Sequence, residues 1–292
     1  MTREKITNIL QPRKTDTHKG DYGHILVIAG SPGMTGAAYL TSQAALFSGA
    51  GLVTLAIPAS SNTIMATKLT EVMTLPVAEN REGTFAAKSF DRIFKFVSEK
   101  VNVLAIGPGI RINSDTELLI KKILKNIDKP IVLDADAINI VSKNISILKN
   151  IKSTNVIFTP HIGEMARLVK IPVTELKKDQ KNIARNFAKE HKITIVLKSC
   201  NTIVASSNGK IYYNLTGNPG MATAGTGDVL TGIIASFIGQ KIEQYDACRL
   251  GVYVHSLAAD YGKKISGEVG LTAGQILAKI PEAINSFYKK NL

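Results

Sequence analysis

Apolar positions in this chain follow two alternating patterns: short continuous runs, and longer stretches with helical spacing. Continuous runs are typical of strands buried on both faces. They occupy 24–29, 52–57, 101–106, 131–133, 156–159 and 193–198. Helical patterns between them cover 35–48, 61–68, 86–99, 115–125, 137–149, 164–169 and 173–191. Strands that alternate with helices in this way predict a mostly parallel sheet with helices on both faces.

The pattern changes after residue 198. Two strand-like runs, 202–205 and 210–215, flank an Asn-Gly pair that favours a hairpin turn. Three helical segments follow at 228–238, 244–262 and 272–288, whereas 75–82 has no clear period and is interpreted as irregular. The sequence shows no linker or repeat, which predicts a single three-layer α/β domain over 1–292. Residues 1–17 are interpreted as a polar leader with helix potential around Ile6 to Leu10.

Composition narrows the class of protein. With 45% hydrophobic residues among 292, the chain can bury a sizeable core, and no run is long and apolar enough for a membrane span. The first residues lack the apolar segment of a signal peptide, so a cytoplasmic location is expected. Cys200 and Cys248 share no metal or redox spacing, and free thiols are predicted.

The net charge of +13 is the main indication of a partner from composition. The lysines are scattered over helical segments instead of forming a basic stripe with interleaved aromatic residues, which a nucleic-acid interface would favour. A mild benefit for binding polyanionic nucleotides fits this charge better.

A glycine-rich stretch leads into an apolar helical run between Thr216 and Gly239. A glycine loop that opens a helix exposes backbone N–H groups at the positive end of the helix dipole, which predicts an anion site. Asp228 lies at this entrance, where a carboxylate could take the proton of an acceptor hydroxyl. The alternative is an ordinary helix start, with Thr226 or Asp228 as its N-cap.

The other candidate residues follow the predicted strands. In open α/β sheets, ligands bind beyond the carboxyl ends of the strands. The residues there are Gly30, Gly33, Gly109, Asp134, Asp136, His161, Glu164 and Lys198. Structural alternatives remain open: His161 as a loop histidine, the two aspartates as helix caps, and Lys198 as a solvated strand end. The other histidines, His18, His24, His191 and His255, are interpreted as structural.

Taken in order, these segments resemble the ADP- or ATP-dependent NAD(P)H-hydrate dehydratases, a branch of the ribokinase-like superfamily. The resemblance covers nearly the whole chain, and its most specific motif is the glycine stretch that ends at Asp228. The other motifs are His-Lys-Gly at 18–20, Gly-Ala-Ala at 36–38, Gly-Pro-Gly at 107–109, Leu-Asp-Ala-Asp-Ala at 133–137 and Thr-Pro-His-x-Gly-Glu at 159–164.

The resemblance implies an activity. Hydrated NADH and NADPH, as the S epimer, would be phosphorylated on the ring hydroxyl and would then lose phosphate to restore the coenzyme. ADP is the expected phosphoryl donor, with Mg²⁺, in a homotetramer. Many relatives carry an N-terminal epimerase domain; this sequence is expected to be the stand-alone dehydratase module.

Site residues follow from the matching motifs. Asp228 is implied as the catalytic base, and Glu164 as an indirect contact to the metal. The hydrated dinucleotide would be contacted by Ala37, Ala38, Gly109, His161 and Asp228. The adenine nucleotide would be held by Lys198, Ser199, Cys200, Asn201, Thr202, Ala224, Gly225, Thr226 and Gly227. The family usually has glycine where this chain has Ser199, so nucleotide contact there is an open question.

Two other functions are compatible with parts of this pattern. A ribokinase-like kinase for a hydroxymethylpyrimidine or hydroxyethylthiazole would share the glycine loop and the base, but not the Thr-Pro-His-x-Gly-Glu motif. A non-catalytic nucleotide sensor would not need Asp228. Recovery of NADH from its hydrate, with each nucleotide in turn, discriminates among the three.

Overall fold

A computed structural model describes residues 3–288, and the strands within that range form one nine-stranded sheet. The strands are β1 His24–Ile28, β2 Leu52–Pro58, β3 Met73–Val77, β4 Val103–Ile106, β5 Ile131–Leu133, β6 Val156–Phe158, β7 Thr194–Leu197, β8 Ile203–Ala205 and β9 Ile211–Tyr213. Their order is β3-β2-β1-β4-β5-β6-β7-β8-β9. Pairing is parallel from β3 to β7 and antiparallel through β8 and β9, so the predicted mostly parallel sheet is confirmed.

Helices connect most of the parallel strands and continue after β9. They are α1 Arg3–Ile9, α2 Thr35–Phe47, α3 Ala59–Lys68, α4 Ser89–Lys100, α5 Ser114–Asn126, α6 Ala135–Lys143, α7 Ile162–Val169, α8 Val173–Lys178, α9 Gln180–His191, α10 Thr226–Gly239, α11 Gln244–Ser266 and α12 Ala273–Asn285. No helix of the described range is long and apolar enough to cross a membrane.

The alternation of side chains along each strand divides the core between the two faces of the sheet. Leu26 and Ile28 of β1 pack on one face with the apolar side chains of α4 to α9. Ile25 and Val27 pack on the other face with α2, α3, α10 and α11. A further apolar cluster joins α10 and α11 to α12 and α1. The result is the predicted three-layer arrangement.

One sequence prediction about this architecture was wrong: the segment 75–82 is not wholly irregular, because β3 pairs with β2 and ends at Val77. The helix potential predicted within the polar leader corresponds to α1. This segment is not wholly solvent-facing, because Ile6 is 1% exposed and joins the cluster around α12. In addition, the Tyr288 hydroxyl donates to the Leu10 carbonyl at 2.8 Å.

Smaller differences concern helix ends. The helix predicted at 115–125 is α5, and the side chain of Asn113 caps it by accepting from the Thr116 N–H. The single helix expected over 173–191 is two helices, α8 and α9, and Asp179 caps the second. Asp179 also lines a depression with Ser199, Cys200 and Asn201, which follow β7.

Close contact between α2 and α10 brings the glycine loop to the sheet. A Cβ on Gly232 would lie 2.2 Å from the Thr41 carbonyl oxygen, so only glycine permits this helix crossing. The start of α10 consequently lies near the carboxyl ends of β5 and β7, where the Asp134 and Lys198 side chains meet.

Candidate active site

A cavity of about 630 Å³ opens beside the start of α10. Part of its wall comes from residues after β7, and part from α11 and the loop that precedes α10. Predicted nucleotide residues in the wall are Lys198, Ser199, Cys200, Thr202, Thr226 and Gly227, together with His161. The structure thus brings together two predicted segments that are far apart in sequence.

The helix start that faces this cavity has no side-chain cap. Gly225 occupies the N-cap position with φ +88°, and its lack of a side chain leaves the first N–H groups of α10 open to a ligand. The Thr226 hydroxyl donates to the carbonyls of Met221 and Thr223 at 3.1 Å each, which ties the loop to the helix. The capping alternative for Thr226 and Asp228 was therefore wrong.

The Asp228 carboxylate has no hydrogen-bond partner among the described residues, although it lies in the first turn of α10. Burial raises its pKa to about 7, and the neighbouring Asp134 carboxylate adds to the shift while Lys198 opposes it. A carboxylate that titrates near neutrality and is free of protein partners suits general-base chemistry.

Lys198 is held by a buried partner. Its Nζ donates to Asp134 Oδ1 at 2.7 Å, and Asp134 Oδ2 accepts from the Thr231 hydroxyl at 2.8 Å. A Cβ on Gly227 would lie 3.0 Å from the same Nζ, so the ammonium lies against the first turn of α10. The nearby carboxylates raise the Lys198 pKa against the opposing effect of burial. Lys198 is therefore not a solvated strand end, and Asp134 is not a side-chain helix cap.

His161 and Glu164 form a reciprocal cap at the start of α7. His161 Nδ1 accepts from the N–H groups of Gly163 and Glu164 at 2.9 and 3.2 Å, and the His161 N–H donates to Glu164 Oε2 at 2.8 Å. Burial, followed by the Lys198 charge, lowers the His161 pKa. Because Nδ1 accepts these bonds, the neutral ring carries its proton on Nε2, which lies 3.4 Å from Glu164 Oε1.

Ala37 and Gly109 lie next to each other. A Cβ on Gly109 would lie 3.3 Å from the Cβ of Ala37. Because residue 109 is glycine, no side chain there covers Ala37. Ala38 is fully buried against Gly30, and Ala37 is the alanine that presents surface. Next to them, Asp136 Oδ2 accepts from the Arg111 N–H at 2.8 Å, while burial raises the Asp136 pKa.

Some predicted contacts lie outside the main cavity wall. Asn201 lines a smaller neighbouring depression, while Ala224 and Gly225 form the approach to α10. The Ser199 hydroxyl turns away to the Asn201 carbonyl at 3.0 Å, so its Cβ is accommodated without filling the cavity. Seven further wall residues belong to the predicted stretch 216–239 without having been singled out: Thr216, Gly217, Asn218, Pro219, Met221, Ala222 and Leu230. Wall residues that sequence reasoning missed are Asn214, Val252, His255 and Ser256.

The Asp134 and Glu164 carboxylates are largely engaged within the protein. Both Asp134 oxygens accept hydrogen bonds, and Glu164 Oε2 accepts the His161 N–H. Within residues 3–288, no group of three or more histidine, cysteine or acidic side chains has a geometry that could hold a metal. Mg²⁺ is usually held by one or two carboxylates together with substrate phosphates and water, so the site fits an ion that arrives with phosphate and not a metal cage built from protein alone.

The raised pKa of Asp228 predicts a pH-dependent stability difference. The folded state binds this proton more tightly than the unfolded state, so wild-type protein loses relative stability as pH rises from about 4 to about 7. An asparagine side chain cannot titrate, so we expect the Tm of Asp228→Asn minus that of wild type to increase over this range and level off above it. Thermal melts of both proteins at a series of pH values test this; a difference independent of pH would contradict the assignment.

The fold is that of a ribokinase-like α/β protein, with an uncapped helix start beside a carboxylate that has no hydrogen-bond partner among the described residues. The structure of a hydroxyethylthiazole kinase from Pyrococcus horikoshii aligns with 91% of this chain and 88% of its own chain, with a TM-score of 0.60. Because the two sequences are only 15% identical, this likeness shows the fold alone. The ADP/ATP-dependent NAD(P)H-hydrate dehydratase from Bacillus subtilis, co-crystallized with ATP/Mg²⁺, is more similar: TM-score 0.84 and 28% identity, covering 98% of this chain and 97% of that one.

A family model described as NAD(P)H-hydrate dehydratase matches residues 25–282, and the chain belongs to this family. The bifunctional NAD(P)H-hydrate repair enzyme Nnr of Moorella thermoacetica is 40% identical over 95% of the chain and 52% of its own length. The ADP-dependent (S)-NAD(P)H-hydrate dehydratase of Neisseria meningitidis is 34% identical over 94% of the chain and 89% of its own. The chain thus spans about half the length of the bifunctional relatives.

Proposed function

We propose that this protein dehydrates hydrated NADH and NADPH, as the S epimer, with ADP as phosphoryl donor. The observation that carries the proposal is the Asp228 carboxylate: it has no hydrogen-bond partner among the described residues, has a pKa raised to about 7, and lies in the first turn of α10, the helix whose start lines the cavity. The names of the relatives supply the substrate class.

In the proposed reaction, the oxygen of the ring hydroxyl attacks the terminal phosphorus of ADP, while Asp228 takes the hydroxyl proton. The P–O bond to the remaining nucleotide breaks, which leaves AMP and a phosphorylated hydrate. Loss of inorganic phosphate and of a proton from the adjoining ring carbon then restores the ring double bond. The sum is hydrate plus ADP giving coenzyme, AMP, phosphate and a proton, and the elements of water removed from the hydrate appear in the phosphate and the proton.

The chain's contribution is electrostatic and geometric. The open N–H groups at the start of α10 and the Lys198 ammonium, fixed by Asp134, present positive charge where phosphate charge develops. Asp228 would receive the hydroxyl proton at the boundary of the two binding surfaces. Mg²⁺, when bound, would neutralise phosphate charge, and Glu164 would reach it only through water, because its carboxylate is committed to His161.

The test is incubation of hydrated NADH with the protein and either ADP or ATP, with Mg²⁺, while NADH absorbance and AMP or ADP release are followed. The expected result is equal release of nucleotide product, phosphate and coenzyme. If the protein instead phosphorylates a hydroxymethylpyrimidine or hydroxyethylthiazole and recovers no NADH, the kinase function replaces this one. Preference for ADP over ATP is read from the same assay.

His161 has two roles that substitutions can separate. His161→Asn keeps an N-cap acceptor, whereas His161→Ala removes it at a cost of about 1 kcal/mol of stability. We expect both variants to bind the hydrated dinucleotide more weakly than wild type, with ADP affinity retained in His161→Asn. Calorimetric titration with each ligand, alongside thermal melts, makes this comparison. Equal weakening for both ligands in His161→Asn would mean that the residue only shapes the loop.

Assembly and location extend the same proposal. We infer a homotetramer in the cytoplasm, on the strength of the family resemblance and the two free cysteines among the described residues. Light scattering of the purified protein and fractionation of its native cells test these two points. A monomer in solution would remove the assembly while leaving the proposed chemistry intact.

A further inference from the structure

The loop that precedes α10 lies along one face of α11. The segment 214–222 supplies much of the cavity wall, and the Thr226 hydroxyl at the start of α10 donates back to the Met221 carbonyl of this loop. Apart from one short 3₁₀ turn at Pro219–Met221, the segment has no helix or strand of its own. Its conformation must therefore be set by contacts with other elements, and α11 supplies several of them.

Asp260 of α11 holds the middle of this loop with both carboxylate oxygens. Oδ2 accepts the Gly217 N–H at 3.2 Å, and Oδ1 accepts the side-chain amide of Asn218 at 2.8 Å. The Asn218 Oδ1 in turn accepts the Gly220 N–H at 3.1 Å and caps the Pro219–Met221 turn. Asp260 is not among the residues that line the cavity, so it acts from behind the wall and not as a ligand contact.

A second tether lies one helical turn earlier on α11. Ser256 precedes Asp260 by four residues, which places both side chains on the same face of the helix. The Ser256 hydroxyl lies 2.6 Å from Thr216 Oγ1 and accepts from the Asn214 amide at 3.0 Å. The two tethers together hold 214–218 against α11.

Glycine allows the loop to approach α11 this closely. Gly217 has φ +107°, and a Cβ there would lie 2.8 Å from Met221 Sδ and 3.2 Å from Ser256 Cβ. A Cβ on Gly220 would lie 2.5 Å from the Glu268 carbonyl oxygen, two residues past the end of α11. Glycine also has the largest conformational entropy to lose, so the loop needs fixed hydrogen-bond partners to keep one shape.

We propose that Asp260 is a positioning residue for the nucleotide, because it holds 217–222 in the shape that forms the cavity wall. The bond from Thr226 to Met221 passes this order on to the start of α10. A protein whose binding-competent shape is only partly populated binds with an affinity lowered by that fraction. Asp260 should therefore affect nucleotide affinity and not the chemical step. This inference rests on the proposed use of an adenine nucleotide.

The first experiment separates affinity from turnover. Calorimetric titrations with ADP and with the hydrated dinucleotide, and dehydration rates at varied ADP, compare wild type with Asp260→Ala. We expect the variant to bind ADP about 10-fold more weakly, the lower end of what a hydrogen bond to a charged group contributes, with a matching rise in KM for ADP. Affinity for the hydrate, and kcat at saturating ADP, should stay within about twofold of wild type.

An exchange of side chains tests the contact itself. Asp260→Asn keeps one acceptor but turns an amide toward a donor, so in wild type it should weaken ADP binding. Asn218→Asp sets two carboxylates against each other. Added to Asn218→Asp, the substitution Asp260→Asn restores a carboxylate–amide pair, with acceptors again for the Gly217 and Gly220 N–H groups, and should strengthen ADP binding. The sign of its effect thus reverses between the two backgrounds, as coupled neighbours require.

The other outcomes are distinct. Wild-type ADP affinity in Asp260→Ala, or equal losses of affinity for ADP and the hydrate, overturns the positioning role. If Asp260→Ala does not fold, the exchange decides: a reversal of sign supports the role, and an effect of the same sign in both backgrounds overturns it. Wild type that binds ADP but fails to dehydrate the hydrate contradicts the proposed function alone; wild type that binds no nucleotide contradicts both.

Asp246 supplies a matched control on the same helix. It lies in the first turn of α11, its carboxylate forms an ion pair with Arg249, and it does not line the cavity. Asp246→Ala should lower the Tm, because a favourable charge at a helix N-terminus is lost, and should bind ADP with wild-type affinity. Weakening of ADP binding like that in Asp260→Ala would show that any destabilisation of α11 lowers affinity, and would contradict a local role for Asp260.

Discussion

Replacing Asp228 with asparagine is expected to lower kcat by about 10²- to 10⁴-fold, the range that a positioned general base contributes. Asparagine keeps the size of the side chain but cannot accept the hydroxyl proton. ADP affinity should be unchanged or higher, because a negative charge beside the phosphates is removed. Single-turnover dehydration of hydrated NADH and calorimetric titration with ADP measure the two effects separately.

The pH profile identifies the base. The carboxylate must be ionised to act, and its pKa is raised to about 7, so wild-type kcat/KM should rise with pH through that region and then level off. The residual activity of Asp228→Asn should lack this rise. A profile of the same shape in the variant would assign the titration to another group.

Asp136 supplies a matched control for Asp228. It is a neighbouring, half-buried carboxyl with a raised pKa, but its Oδ2 already accepts the Arg111 N–H. Asp136→Asn should cost far less turnover than Asp228→Asn, since Asp136 has no proposed proton to take. Comparable losses of turnover in the two variants would indicate that the combined negative charge of the carboxylates affects turnover more than proton transfer to Asp228 does.

The sequence predicted the parts of the site that lie at strand ends and in the glycine stretch. Lys198 and Asp134 were predicted because each directly follows a buried strand, and the carboxyl ends of neighbouring parallel strands meet at one edge. Asp228 was predicted because the residues before it are small and the residues after it are apolar. These signals are local, so they can be detected without a structure.

His255 could not be found in this way. It lies within α11, whose residues show only the pattern of a buried helix, and it reaches the cavity through the packing of α11 against α10. Strand β3 was missed for another reason: it contains Pro76 and lies at the edge of the sheet, where a missing N–H is tolerated but weakens the strand signal. Tertiary packing determines both the position of His255 at the cavity wall and the formation of β3, and the local sequence pattern does not reveal either of them.

Breaking the Lys198–Asp134 pair is expected to have the largest effect on stability. The Asp134 side chain is 1% exposed and that of Lys198 20%, and their atoms approach to 2.7 Å. Asp134→Ala leaves the Lys198 ammonium without its hydrogen-bonded partner, and Lys198→Met leaves the buried Asp134 carboxylate without its counter-charge. Each substitution should lower the free energy of unfolding by about 3–5 kcal/mol. The double variant should lose less than the sum of the two, as urea denaturation of all four proteins would show.

The size of that non-additivity separates a buried pair from a surface pair. Residues in contact couple by about 0.5–3 kcal/mol, whereas independent sites add to within about 0.5 kcal/mol. Lys143 and Glu117 also form an ion pair, but their side chains are 55% and 39% exposed, so the matched cycle Lys143→Met and Glu117→Ala should couple by less than about 1 kcal/mol. If the Lys198–Asp134 cycle proves additive, Asp134 does not hold the ammonium at the start of α10, and the phosphate-facing position of Lys198 needs another cause.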